Sequence, residues 1–175
     1  ILDEIEAGVR ESTNDVRELL VHFSTRTDGD DIEDALRTTL RKFERQSGLS
    51  AHLDVQGHGV PLPSDAQLQV LHVLQEALSN VRKHASASEV FLDVRRGPRW
   101  QFTVRDNGRG FATESLRDAD THVGLHIMRE RAQRIGASVR VRSSPGGGTE
   151  VSLDVPAPAA AAASTNFRAV SIEPL

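Results

Sequence analysis

Cysteine is absent from the 175-residue chain, which excludes disulfides, thiolate metal sites and cysteine nucleophiles. No apolar run approaches the length of a membrane-spanning helix, and no signal peptide is visible. An excess of positive charge is also lacking: the formal net charge is −4, which does not favour a nonspecific nucleic-acid or anionic-membrane surface. Hydrophobic residues make up 38%, enough for one core in one domain of ordinary size with extensions.

Three common site patterns are missing as well. No G-x-x-x-x-G-K-[ST] loop occurs, so a Walker-type nucleotide site is excluded, and no G-x-S-x-G nucleophile elbow is present. The seven histidines are scattered, and no pair of them has a strong metal-site spacing. The first residue is Ile1 rather than Met, so we expect a fragment of a longer protein whose upstream part could include a membrane anchor.

Hydrophobic periodicity predicts a series of helices and strands. Helices are expected over 1–25, 31–46, 65–85 and 123–135, and strands over 49–56, 90–94, 100–105, 137–143 and 149–155. Ser64 is a candidate N-cap for the third helix, and the polar stretch 113–121 is expected to be a mobile loop. Helices placed among hairpin-connected strands predict the α+β class, as a two-layer sandwich with a mixed, mostly antiparallel sheet.

The helix predicted over 65–85 carries the first candidate site. Its apolar residues recur every three or four positions, and at ~100° per residue Glu76, Asn80 and Lys83 fall together on nearly the opposite face. A carboxylate can hold or activate a water, an amide oxygen can bind Mg²⁺, and an ammonium can meet phosphate. The same pattern also describes the solvated face of an ordinary amphipathic helix.

Three glycine-containing segments form the other candidates. Asp106 ends a strand and could accept a hydrogen from an exocyclic amine such as that of adenine, while Gly108 and Gly110 would let a flat ligand approach closely. Gly124 lies where a helix is expected to start, and free N–H groups there would suit phosphate. Thr149 follows a turn and could lie beside Asp106 through a water. The alternatives are a strand-ending turn, a flexible helix start and a hairpin turn.

The order and spacing of these segments resemble the ATP-binding domain shared by gyrase, Hsp90, histidine kinases and MutL, the GHKL or Bergerat-type fold. Four segments carry the resemblance: Glu76-x-x-x-Asn80-x-x-Lys83-His84-Ala85 resembles the N box of histidine kinases, Asp106-x-Gly108-x-Gly110-Phe111 the first glycine box, Gly124-Leu125 with 128–132 the second, and 146–149 the last glycine-threonine element.

Two shorter stretches resemble particular branches of the kinases. The run GLHIMRERAQRIGA is similar to the subfamily with short lids that pairs with LuxR-type response regulators, and EALSN…KHA is similar to the nitrate/nitrite sensor kinases. The resemblance covers about 1–156. We therefore expect a remnant helix of a dimerisation hairpin over 1–26, an ATP-binding catalytic domain over 27–156, and an Ala/Pro-rich tail over 157–175.

At the phosphate end, the resemblance implies a role for each residue of the polar helix face. Glu76 would position or polarise water near the metal and the γ-phosphate, as the catalytic residue. Asn80 would ligate Mg²⁺ through its amide oxygen. Lys83 or His84 would contact phosphate; the choice stays open, with Lys83 preferred because it shares the face of Glu76.

At the adenine end, the resemblance implies that Asp106 accepts a hydrogen bond from the adenine amine and that Thr149 completes the pocket. Gly108 and Gly110 would let the base and the lid settle. Between the two ends, backbone N–H groups of Gly124 and Leu125 would bind the phosphates.

The function implied is that of the ATP-binding catalytic domain of a two-component sensor histidine kinase, working with ATP and Mg²⁺. The histidine that accepts the phosphoryl group is expected outside this chain, because the only histidine before the ATP-binding domain is His22, which Phe23 rather than an acidic residue follows. The resemblance further implies a cytoplasmic domain of a membrane-anchored bacterial sensor that forms a homodimer. A LuxR-type response regulator would act downstream, with no direct nucleic-acid contact by this chain.

Two other functions are compatible with the same fold. One is a noncatalytic dimerisation or interaction module, against which the intact set of Glu76, Asn80, Asp106 and paired glycines argues. The other is another GHKL ATPase resembling gyrase or MutL, but those families have a longer lid and a following transducer domain.

Overall fold

The computed structural model describes residues 31–112 and 119–156. The helix predicted over 1–25, the tail over 157–175 and residues 113–118 of the predicted mobile loop lie outside the described residues. Within the described ranges, no helix is long and apolar enough to cross a membrane.

The described residues form three α-helices, one π-helical turn and five strands in the predicted order. The helices are α1 (Asp31–Ser47), α2 (Ser64–Asn80) and α3 (Ala119–Gln133), and the π turn Val81–Ala85 continues α2. The strands are β1 (Ser50–Gly57), β2 (Glu89–Arg96), β3 (Arg99–Asp106), β4 (Ser138–Ser143) and β5 (Thr149–Pro156).

The five strands form one sheet in the order β1-β2-β3-β5-β4. β1 pairs with β2 in parallel, because the chain crosses over through α2 between them. The other three pairs, β2–β3, β3–β5 and β4–β5, are antiparallel. The predicted α+β class with a mixed, mostly antiparallel sheet is therefore confirmed.

One face of the sheet carries the core and the other carries charge. Along β3, Trp100, Phe102 and Val104 are buried against the helices, and the residues between them are at least partly exposed. Burial of each such side chain contributes about 1.5–3 kcal/mol. On the opposite face, Arg105 pairs with Asp93 at 2.6 Å. The sheet thus presents a single apolar face, and the helices cover it.

α2 is the centre of the helix layer. It packs against α1 and α3 and contacts β3 and β5, while α1 also packs on β1 and α3 on β4. The predicted apolar stripe of α2 does face inward: Leu71, Leu74 and Leu78 are buried. This packing holds the last turns of α2 beside the carboxyl end of β3, where the candidate site residues meet.

Two predicted helix boundaries are wrong. Ser64 is the first residue of α2 rather than its cap; Pro63 holds the cap position, and no side chain caps the helix. The side chain of Gln67 instead donates a hydrogen bond to the Leu62 carbonyl at 2.8 Å. α3 begins at Ala119 rather than Val123, because its first turn is polar and the prediction followed apolar periodicity.

Candidate functional site

A cleft opens between the end of α2, the π turn, α3, the carboxyl ends of β3 and β4 and the amino end of β5. Six of the predicted site residues line it: Asn80, His84, Asp106, Gly110, Leu125 and Thr149. The rest of its wall is largely apolar and includes Ala77, Val104, Phe111, Met128 and Val151. An apolar slot with a few polar groups at defined points is the usual form of a small-molecule site.

Asp106 is the buried polar group of this cleft, with 9% of its surface exposed. Its carboxylate accepts a hydrogen bond from the Gly108 N–H at 2.8 Å and another from the Thr149 N–H. Burial raises the pKa of Asp106 above the ordinary value of 3.8, and these two hydrogen bonds oppose the rise. The group is an acceptor held in place by backbone donors, as recognition of an amine requires.

Gly108 and Gly110 allow three segments of backbone to meet at the site. A Cβ on Gly108 would lie 2.3 Å from the carbonyl oxygen of Ala85, so only glycine lets the loop pack against the π turn. Gly110 has φ +58°, and a Cβ there would lie 2.0 Å from the Ser144 carbonyl oxygen. Gly110 lines the cleft, whereas Gly108 lies behind it and supports Ala85.

The loop after β3 is also hydrogen-bonded to both of its neighbours. Arg109 N–H donates to the Ala85 carbonyl and the Arg109 side chain donates to the His84 carbonyl, each at 2.8 Å. On the other side, Gly146 N–H donates to the Arg109 carbonyl at 2.7 Å. These bonds join the π turn, the first glycine segment and the β4–β5 turn into one frame around the cleft.

Ser143 is a site residue that the sequence-based reasoning missed. Its hydroxyl lies 2.9 Å from the Phe111 nitrogen, 2.9 Å from the Gly148 carbonyl oxygen and 3.0 Å from the Thr149 hydroxyl. The register of the sheet could have indicated it, because Ser143 is paired with Thr149 and Thr149 with Asp106. That register depends on the strand order, which the periodicity did not predict.

Glu76 and Asn80 lie half-buried on the side of α2 that faces α3. Both side chains lie close to Gly124 of α3. A Cβ on this glycine would lie 2.5 Å from the Glu76 carboxylate and 3.4 Å from the Asn80 side-chain nitrogen. The predicted face containing Glu76 and Asn80 is therefore not an open solvated face. α3 passes so close to this face that glycine is the only residue type at position 124 that avoids the Glu76 carboxylate.

Lys83 and His84 differ in position. Both side chains are exposed, but His84 lines the cleft and Lys83 is not among the lining residues. The π turn explains the difference, because its i→i+5 bonding places an extra residue in the turn. Beyond Asn80 each residue therefore lags behind its α-helical position, which brings His84 round toward the face where regular helical geometry put Lys83.

The start of α3 at Ala119 changes the setting of Gly124 and Leu125. Both residues lie in the second turn, where an N–H bonds to the carbonyl four residues earlier in a regular helix. The prediction that they lie at the helix start with free N–H groups is wrong for this structure. Leu125 instead contributes a buried side chain to the cleft wall, and Gly124 gives α3 its close approach to Glu76.

The oxygen ligands available to a divalent metal at this site are few. No group of three or more acidic or histidine side chains with metal-site geometry occurs among the described residues. Asn80 and Glu76 offer one amide and one carboxylate beside the cleft. Mg²⁺ commonly binds through one or two such oxygens together with phosphates of a nucleotide and water, so the residues present fit that kind of site.

Comparison with known proteins identifies the family. Residues 65–159, more than half of the chain, match the family described as histidine kinase-, DNA gyrase B- and HSP90-like ATPase. The chain therefore belongs to this family, and the family implies that it binds ATP.

Named relatives narrow the class. The chain is 33% identical over 155 residues to the nitrate/nitrite sensor protein NarQ of Escherichia coli K12, covering 87% of this chain and 27% of NarQ. It is 34% identical over 152 residues to the nitrate/nitrite sensor protein NarX of the same strain, covering 86% of this chain and 25% of NarX. The chain thus spans about a quarter of the length of these relatives. The histidine kinase AdeS of Acinetobacter baumannii shares the fold, with a TM-score of 0.62, 15% identity and coverage of 90% of this chain and 82% of that one.

The fold, the cleft and the family together define an ATP-binding domain of the GHKL type. Within that class, the chain is the ATP-binding catalytic domain of a sensor histidine kinase, and the resemblance stated from its motifs is confirmed.

Proposed function

We propose that this domain transfers the γ-phosphoryl group of ATP to a histidine on a dimerisation domain outside this chain. The observation that carries the proposal is the position of Asp106, a buried acceptor in a largely apolar cleft that also contains Asn80, His84 and Thr149. Adenine offers a flat ring with apolar faces and one exocyclic amine, and this cleft has an apolar wall for the first and an acceptor for the second.

In the proposed site, each end of the cleft has a separate task. Asp106 accepts the adenine amine and Thr149 completes the base pocket, while Gly110 allows the backbone to approach the base. At the other end, Glu76 positions or polarises water near the γ-phosphate, and His84 contacts phosphate from the cleft wall. Lys83 stays a second candidate for that contact from outside the wall.

We propose Asn80 as the Mg²⁺ ligand, through its amide oxygen. The metal would supply charge neutralisation for the transferring phosphoryl group, which is the main requirement of phosphoryl transfer. Asn80 and Glu76 are one helical turn apart on α2, and both side chains lie close to Gly124 of α3. Contacts from the Gly124 and Leu125 N–H groups to the phosphates would require the first turns of α3 to unwind.

The parts of the proposed protein outside 31–156 follow from the resemblance. Residues 1–26 would be the second helix of a dimerisation hairpin, 27–156 the catalytic domain and 157–175 a tail. The whole protein would be a homodimeric, membrane-anchored bacterial sensor with this domain in the cytoplasm, acting on a LuxR-type response regulator. The similarity to NarQ and NarX supports nitrate or nitrite as the signal.

Nucleotide titration tests the site directly. A nonhydrolysable ATP analogue should bind the purified chain, and Mg²⁺ should increase its affinity. Asp106→Asn should weaken binding about 10- to 100-fold, because it removes a charge-assisted hydrogen bond. Asp93→Asn, on the opposite face of the sheet, is the matched control and should leave the affinity unchanged. Absence of binding, or binding indifferent to Asp106→Asn, would refute the site.

Phosphoryl transfer is tested separately. A histidine-bearing dimerisation hairpin added in trans should become phosphorylated from ATP in the presence of this chain and Mg²⁺. The chain alone should not phosphorylate itself. Autophosphorylation of the chain would contradict the placement of the acceptor histidine outside it, and a hairpin left unmodified by an ATP-binding chain would favour a noncatalytic module.

A further inference from the structure

Ser143 lies beside Thr149 and Asp106, the two residues proposed to bind adenine, at matching positions on three neighbouring strands. Ser143 at the end of β4 is paired with Thr149 at the start of β5, and Thr149 is paired with Asp106 at the end of β3. The buried alternation of these strands places all three side chains on the helix-facing side of the sheet. Asp106 and Thr149 line the cleft, and Ser143 lies directly behind Thr149.

The Ser143 hydroxyl has more partners than it has protons. It accepts a hydrogen bond from the Phe111 N–H at 2.9 Å. Its single proton can go either to the Gly148 carbonyl at 2.9 Å or to the Thr149 hydroxyl oxygen at 3.0 Å. The choice decides what Thr149 can offer to a ligand.

The two arrangements give the cleft opposite patterns. If Ser143 donates to Gly148, Thr149 donates its own proton to Ser143 and can only accept from a ligand. If Ser143 donates to Thr149, the Thr149 O–H is free to point into the cleft as a donor. Beside the Asp106 acceptor, the second arrangement presents one acceptor and one donor. The edge of adenine presents the complement, an amine donor next to the N1 acceptor, whereas hypoxanthine presents a carbonyl acceptor next to an N1–H donor.

We propose that Ser143 is a positioning residue that, with nucleotide bound, donates its proton to Thr149 rather than to Gly148, turns the Thr149 O–H into the cleft and thereby makes the site selective for adenine over hypoxanthine. The proposal rests on the proposed function, which assigns the base to Asp106 and Thr149. Thr149 meets the base edge directly or through a water. Ser143 itself does not touch the nucleotide.

A shape-matched pair of variants tests the proposal. Ser143→Val removes the hydroxyl, and Ser143→Thr keeps it in a side chain of the same shape; both are β-branched and suited to a strand end. The affinities of ATP and inosine triphosphate are measured on the whole chain with Mg²⁺. In the wild type ATP should bind more tightly. Ser143→Val should reduce the ratio of the two affinities about 3- to 10-fold, the loss of one hydrogen bond, and Ser143→Thr should restore it.

The outcomes are distinct. If Ser143→Val weakens both nucleotides equally, or leaves the ratio unchanged, Ser143 only supports the hairpin and the proposal is overturned. If the wild type binds neither nucleotide, the proposed base site at Asp106 and Thr149 is refuted, and the role of Ser143, which rests on it, is refuted with it. Thermal unfolding checks that the variants fold, and Ser143→Ala, with less bulk, replaces Ser143→Val if that variant does not; the same ratio decides.

Discussion

Replacing Gly124 by alanine should separate catalysis from folding in this domain. Gly124 lies inside α3, with no left-handed backbone angle that would require glycine. A Cβ there would lie 2.5 Å from the Glu76 carboxylate, whereas ordinary contacts begin at 3.4 Å, so the carboxylate must retreat by about 0.9 Å, the difference between the two. The obstructed atom is the end of a flexible side chain, and it can therefore move without unfolding the helices.

Stability and rate should respond differently to that movement. Alanine stabilises a helix interior by about 1 kcal/mol relative to glycine. Pushing the Glu76 side chain off its preferred rotamer costs about 0.5–1.5 kcal/mol, so the free energy of unfolding should change by no more than about 1 kcal/mol. A displacement near 1 Å of a catalytic group lowers a rate by up to about 100-fold. Gly124→Ala should thus fold normally and transfer phosphoryl groups to an added hairpin up to about 100 times more slowly.

A double-mutant cycle shows whether the effect passes through Glu76. In a Glu76→Ala background the obstruction is gone, so Gly124→Ala should add about 1 kcal/mol of stability and leave the residual transfer rate unchanged. Denaturant unfolding and single-turnover transfer measure the two quantities. An equal loss of rate in both backgrounds, or full activity of Gly124→Ala alone, would refute the reasoning that α3 sets the position of the carboxylate.

Two further predictions concern pH and the glycine turns. Because the pKa of Asp106 is raised above 3.8, the folded state binds more protons than the unfolded state between these two pKa values. Over that window, stability from this group should fall as pH rises while ATP affinity increases; denaturation and titration across pH check both, and Asp106→Asn should flatten both profiles. Gly110→Ala should destabilise by about 3 kcal/mol or more, since its Cβ meets two backbone carbonyls at a left-handed φ. Gly146→Ala, with φ +77° and nothing within 4 Å, should cost only about 1–2 kcal/mol; equal losses on denaturant unfolding would contradict the role of the close approach.

The predictable part of the fold is the part that hydrophobic periodicity specifies. The alternation of Trp100, Phe102 and Val104 predicts a strand with one buried face, and the structure has it. Periodicity gave no information about the first turn of α3, because the residues at 119–122 add no large apolar side chain to the pattern. Helix ends of this kind depend on local polar interactions that are difficult to identify from one sequence.

The part of the candidate site that could be predicted is the part that depends only on residue types and their spacing along the chain. Asp106, Asn80 and Thr149 were predicted as site residues, and the cleft brings them together. Two features depend on three-dimensional geometry instead. The π turn moves His84 rather than Lys83 to the cleft, and the register of β4 brings Ser143 behind Thr149. The first was missed because the prediction assumed a regular helix through residue 85, and the second because the strand order was not known from the sequence.

The crossover that makes β1 parallel to β2 divides the domain into unequal parts. β1 is an edge strand held by β2 and α1, and none of the described residues that line the cleft belongs to α1 or β1. The lining residues come instead from α2 onward, where the β2–β3–β5–β4 ladder and the helix pair α2–α3 connect them. α1 and β1 nevertheless belong to the same hydrophobic core as α2 and β2. A substitution at this edge of the sheet can therefore reach the cleft only through that shared core, by changing how firmly α2 and β2 are held.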